Sequence, residues 1–205
     1  MIDRYALRLL SPLAEKTAKL LHASGIRADW MTFLGLGLGL FAAGLIAFGA
    51  TTLSILPLLL SRACDGLDGA LARLHDATDR GAFLDISLDF IFYAAIPLAF
   101  AIADPPANGL AAAVLLAAFL GTGTSFLAYA AIAEKRGLKS TAYPSKSIYY
   151  LGGLTEGTET IACFLAMCWW PQHFTAIACV FAGLCLLTTA TRIFAGWKAF
   201  APRKD

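Results

Sequence analysis

Six of the chain's 14 acidic residues fall between Asp65 and Asp89. Asp65 and Asp68 are spaced i,i+3, and Asp85 and Asp89 i,i+4, so each pair projects from one helical face. Two consecutive antiparallel helices joined by a short loop would bring four carboxylates together. Such charges repel unless a cation joins them, and Arg73 and Arg80 could pair with two at most. A salt-bridged hairpin therefore leaves part of the cluster uncompensated. Oxygen ligands at this density suit a hard divalent ion, Mg2+ or Mn2+. Gly69, Ala70, Ala72, Thr78, Gly81 and Ala82 lie between the pairs and let a bulky ligand approach the backbone. Arg73 offers a fork for phosphate oxygens. The pattern reads as a site for metal plus pyrophosphate.

The elements that carry this cluster are membrane helices. Of 205 residues, 59% are hydrophobic and 15% charged, and the mean hydropathy is +0.69. A soluble domain carries about 25% charge, so the composition argues against a soluble enzyme and excludes disorder. The net charge of +2 implies no nucleic-acid partner. A helical span needs about 20 apolar residues. Residues 30–50, 82–103, 108–133, 147–170 and 174–197 meet this, and 53–71 is a weaker sixth that carries Arg62, Asp65 and Asp68. Six spans is the expected count, with five plus a re-entrant segment as the alternative. With the N-terminus in the cytoplasm, all 16 Lys and Arg residues fall on the inside, and the loops near Thr51, Asp104 and Pro171 have none. Both termini and the acidic cluster are then cytoplasmic.

Before the first span, Ile2, Ala6, Leu9, Leu10, Leu13, Thr17, Leu20 and Leu21 recur at helical spacing, with Arg4, Arg8 and Lys19 on another face. This predicts an amphipathic helix on the inner leaflet, against the alternative of a cytoplasmic helix packed on the protein. The chain has no short apolar core with a small-residue cleavage site. It reads as one domain over 1–205, with an interfacial helix and linker over 1–28 and a membrane bundle over 30–199. Gly35, Gly37 and Gly39 lie within an apolar span and predict close helix packing, not a nucleotide loop. Cys64, Cys163, Cys168, Cys179 and Cys185 lack metal-ligand spacing and read as small apolar packers. Trp169, Trp170 and Trp197 at span ends fit an aromatic belt.

The string from Asp65 to Arg73, with Gly81, Asp85 and Asp89, resembles the signature of the CDP-alcohol phosphatidyltransferases, D-x-x-D-G-x-x-A-R followed by G-x-x-x-D-x-x-x-D. All eight fixed positions match. Residues 121–131 and 149–161 are similar to an uncharacterised bacterial inner-membrane branch of that family. The resemblance implies that Asp65, Asp68 and Asp85 hold two metal ions, with Asp89 assisting the second and acting as general base. Gly69, Arg73, Thr78 and Gly81 would contact the CDP group. It further implies a homodimer in the inner membrane that moves a phosphatidyl group from CDP-diacylglycerol to an alcohol and releases CMP. A soluble CDP-alcohol with a diacylglycerol acceptor is the alternative. A cation transporter is a different class, disfavoured because its acidic site would lie near the midplane. Family members often carry N-x-x-T before the first span; this chain has Asp29-Trp-Met-Thr32.

The acceptor is less constrained. Lys135, Lys146 and Arg192 on the cytoplasmic side would suit a phosphorylated alcohol, but topology alone also makes such flanks basic. Glu156 and Glu159, spaced i,i+3 within the fifth expected span, are costly in a membrane and suggest a site for an amino alcohol or polyol. They could instead pair with Arg192.

Overall fold

A computed structural model describes residues 3–74, 78–137 and 154–201, with side chains from residue 11 onward. Among the described residues the chain is helical: α1 Asp3–Ala23, α2 Ala28–Ala47, α3 Thr51–Leu74, α4 Asp79–Ala103, α5 Pro105–Lys135, α6 Gly157–Trp169 and α7 Phe174–Ala199. The turn Pro171–His173 leads directly into α7.

Four of these are long and apolar enough to cross a membrane: α2, α4, α5, and α7 with its leading turn. Only 28–33% of each crossing window is buried, so most of its apolar surface faces outward, as a bilayer requires. Phe41, Leu98, Leu110, Val180 and Trp197 are among these exposed side chains. α3 has 24 residues, about 36 Å at helical rise, but Arg62, Asp65, Asp68 and Arg73 make its last half polar. α6 spans 13 residues from Gly157. The expected span over 147–170 therefore lies partly outside the described residues.

Local chemistry sets the helix ends. Gly49, at φ +80°, takes the left-handed turn between α2 and α3, where a side chain would be strained. Asp104 caps α5 by accepting from the Ala107 amide at 3.1 Å, and Pro105 follows at the first helical position. This starts α5 three residues before the expected 108.

α2 is the central element. It packs along both α3 and α4, more closely than those two pack on each other. Glycines permit this. A Cβ at Gly35 would lie 3.2 Å from the Ser61 carbonyl oxygen of α3, and one at Gly39 only 2.5 Å from the Phe92 ring of α4. Gly37 differs from expectation. It faces open space, because a helix turns its middle residue away from the contacts made two residues on either side. α5 packs on α4 and α7. Phe92, Phe100, Phe164, Phe174 and Ile96 form the main core, all but closed to solvent. Cys64, Cys168 and Cys185 are buried as packers, whereas Cys179 is exposed.

α1 packs on the end of α3 that carries the acidic pair. Ala14, Ala18 and Leu21 join Met31, Cys64, Ala70 and Leu71 in a second, smaller core. Leu13 and Leu20 stay about two-thirds exposed on its other side. The helix thus has both a face held by the protein and an apolar face beyond it.

Candidate functional site

Packing of α3 and α4 on α2 brings the acidic residues together, as the spacing within each helix allows. One oxygen each from Asp65, Asp68 and Asp85 lies within 4.8 Å of the others. Asp68 is 6% exposed, and its Oδ2 is buried without a hydrogen-bond partner. A buried carboxylate oxygen left so is costly unless a cation takes it. The donor set is all oxygen, compact and anionic, so it fits a hard divalent ion.

Asp89 lies outside this trio. Its Oδ1 accepts from Arg62 Nη1 at 2.6 Å, and the same nitrogen is 3.5 Å from Asp65 Oδ2. The Arg62 guanidinium lies 3.9 Å from the centre of the Phe92 ring, a cation–π contact. Arg62 Nη2 donates to Ser61 Oγ at 3.2 Å, and Ser61 Oγ donates to the Gly35 carbonyl at 2.7 Å. The compensating cation is therefore neither of the expected arginines. Arg80 pairs with Asp29, joining the start of α2 to the start of α4. Arg73 is exposed and passes over Gly69, where an added Cβ would lie 3.6 Å from its Nη1. Arg62 carried one sequence signal: it sits three residues before Asp65, on the same helical face.

Thr78 and Gly81 make the entry to α4. Thr78 Oγ1 accepts from the Gly81 amide at 3.1 Å, an N-cap that orders the first turn. A Cβ at Gly81 would press on that hydroxyl at 3.2 Å. Thr32, Gly35, Arg62, Asp65, Asp85 and Asp89 line a small cleft of about 10 Å³.

A second, larger cavity of about 160 Å³ lies beside it. It is walled by Phe90 and Tyr93 of α4, Thr122 and Phe126 of α5, Glu156 and Thr160 at the head of α6, and Arg192 of α7, among others. Glu156 and Arg192 are each 7% exposed. Arg192 Nη1 donates to the Thr122 carbonyl at 3.1 Å. Of the expected acceptor residues, this cavity joins Glu156 and Arg192. Lys135 is exposed at the end of α5, and Glu159 is not in the wall. Lys146 lies outside the described residues. Thr122, Thr155, Thr160 and the aromatic walls gave no warning in the sequence, because hydroxyls and rings are common in any membrane helix.

A family model described as CDP-alcohol phosphatidyltransferase matches residues 26–199. The chain belongs to the CDP-alcohol phosphatidyltransferase family. A curated relative is the inner membrane protein YnjF of Escherichia coli (strain K12), 47% identical over 197 residues and covering 96% of each chain. Among solved structures, the chain is similar in fold to Mycobacterium tuberculosis phosphatidylinositol phosphate synthase PgsA1. With CDP-DAG bound, that structure gives a TM-score of 0.73 at 22% identity, over 95% of this chain and all of that one. In complex with manganese and citrate it gives the same score and identity, over 94% and 93%. In this CDP-alcohol phosphatidyltransferase the matched residues include every member of the acidic cluster, Arg62 and the walls of the larger cavity.

Proposed function

We propose that the protein makes a phospholipid by moving a phosphatidyl group from CDP-diacylglycerol to an acceptor alcohol. The observation that carries this is the trio Asp65, Asp68 and Asp85, converging within 4.8 Å beside Asp89. Family membership supports the general reaction. The PgsA1 structures with CDP-DAG and with manganese support the choice of donor and of a divalent ion.

Asp65, Asp68 and Asp85 would hold Mg2+ or Mn2+. Such an ion supplies charge neutralisation for the pyrophosphate and steadies the departing CMP. Gly69 and Gly81 leave the backbone approachable for the CDP group, and Arg73 and Thr78 flank it. The acceptor oxygen bonds to the lipid-side phosphorus, the bond from that phosphorus to the CMP oxygen breaks, and Asp89 takes the hydroxyl proton. Tying Asp89 to Arg62 fixes one of its oxygens, so placement supplies much of the rate. The nucleotide stays in water while the acyl chains remain among the exposed apolar helices.

The larger cavity is the proposed acceptor pocket, with Glu156 and Arg192 in its wall and Lys135, Lys146 and Glu159 as outer contributors. The chain is taken as one domain over 1–205, a homodimer with six spans. Its α1 lies on the inner leaflet, and both termini and the acidic cluster face the cytoplasm of an inner membrane. The name of the relative YnjF and the charge asymmetry support this placement.

The test is CMP release in liposomes containing CDP-diacylglycerol, screened against alcohols, amino alcohols and alcohol phosphates. Release with one acceptor is the expected result. No release there, with product formed from CDP-choline and diacylglycerol, would transfer the reading to a soluble CDP-alcohol donor.

A further inference from the structure

Among the described residues, two glycines stand against phenylalanine rings where no side chain could. A Cβ at Gly39 would lie 2.5 Å from Cδ2 of Phe92, and one at Gly123 would lie 2.4 Å from Cε1 of Phe90. Their settings differ. Phe92 is fully buried in the main core, so Gly39 serves packing. Gly123 of α5 and Phe90 of α4 both stand in the wall of the larger cavity. Gly123 is buried, whereas Phe90 is 37% exposed. Phe90 also follows Asp89 directly in the chain.

The atoms that meet at Gly123 are the outer edge of the ring. Cε1 and Cζ of Phe90 would lie 2.4 and 2.9 Å from an added carbon, while Cδ1, at 3.4 Å, would be in ordinary contact. Carbon atoms rest about 3.5–4.0 Å apart, so the first two approaches cannot stand. A ring edge gives way by turning about its side-chain bonds, which costs less than moving a packed helix. The cavity that Phe90 lines is open space beside the ring. A methyl group at position 123 would therefore take the place of the ring edge and turn the ring into the cavity.

We propose that Gly123 sets the clearance of the acceptor pocket: its bare backbone is the seat of the Phe90 ring, and that seat keeps one side of the pocket open to the acceptor. This rests on the reading of the larger cavity as the acceptor pocket. Gly123 is a positioning residue that acts through Phe90. Neither residue lines the charged cleft, so the donor and metal sites do not depend on this seat. The pocket then selects its alcohol by bulk at Phe90 as well as by the charges of Glu156 and Arg192.

Gly123→Ala tests this in the full chain in lipid nanodiscs. The donor is CDP-diacylglycerol, and the acceptors are glycerol, serine, glycerol 3-phosphate and inositol. The acceptor KM should rise about tenfold, the scale of one overpacked methyl group, and most for the bulkiest acceptor used. Donor KM and Mn2+ affinity should be unchanged. Adding Phe90→Leu to Gly123→Ala should recover most of the loss, because leucine lacks the Cε1 and Cζ atoms that the methyl group displaces. A crystal structure of Gly123→Ala grown from a lipid mesophase should show the ring turned into the cavity with α5 in place, a readout that needs no turnover. A ring that stays while α4 and α5 part, a joint rise in donor and acceptor KM, or a double variant no better than the single one overturns the role of Gly123 and leaves the reaction standing. No CMP release from the wild type with any of these acceptors overturns the acceptor pocket together with the role of Gly123, whatever the ring does.

Discussion

Between the charged cleft and the larger cavity lies Tyr93, which walls the cavity and is 5.9 Å from the Arg62 guanidinium of the cleft. They are built on different terms. The cleft is about 10 Å³, and its polar side chains come from α2 to α4. The cavity is about 160 Å³, draws on α4 to α7, and mixes hydroxyls and aromatic rings with one carboxylate and one guanidinium among its described walls. A cleft that small and that anionic has one use, to grip cations and what cations bind. A roomy, mixed wall can be altered residue by residue without losing its shape. On the proposed reading, the cleft would carry the metal and phosphate chemistry and the cavity the choice of acceptor.

Substitutions can break that division, beginning with the cleft. Asp68→Ala should abolish Mn2+ binding and reduce CMP release about 1,000-fold or more, since several kcal/mol of charge stabilisation go with the ion. Exhaustive chelation should do the same reversibly, with Mg2+ or Mn2+ restoring the rate. Activity that survives chelation would remove the cleft from the chemistry. Asp89→Asn should cost about 100- to 10,000-fold in kcat, the range for losing a general base, while binding of CDP-diacylglycerol persists. Near-normal turnover would assign the proton elsewhere.

In the cavity the effects should be smaller and confined to one substrate. Glu156→Gln and Arg192→Gln should each raise the acceptor KM about tenfold or more, the scale of one charged hydrogen bond, with donor KM unchanged. An equal rise in both constants would merge the two regions. The smallest effects belong to packing. Gly39→Ala should destabilise by about 1–3 kcal/mol through its clash with Phe92. Gly37→Ala faces open space and should stabilise α2 by up to about 1 kcal/mol. Thermal unfolding in matched nanodiscs measures both.

The same contrast explains what the sequence disclosed. The spacings of Asp65 and Asp68, and of Asp85 and Asp89, determine helical faces, so the sequence brings four carboxylates together, and three of them converge within 4.8 Å. Hydropathy likewise disclosed α2, α4, α5 and α7, since lipid demands apolar residues along their whole length. Which arginine meets which carboxylate is a different kind of question. Arg62 and Asp89 are 27 residues apart and meet because α3 and α4 both lean on α2. No spacing rule connects them. Arg80 turns to Asp29 for the same reason. The cavity was the least legible, since Thr122, Glu156 and Arg192 come from three helices and no pattern along the chain marks their meeting. Gly37 looked like its neighbours Gly35 and Gly39 until the rotation of α2 separated them.

Phe92 has an edge against Gly39 and a face beneath Arg62, which in turn grips Asp89. Three contacts thus run from the buried middle of α2 to the carboxylate proposed to receive a proton. Rates measured in bilayers of graded acyl length would therefore gauge how far the packing of α2 on α4 reaches that carboxylate.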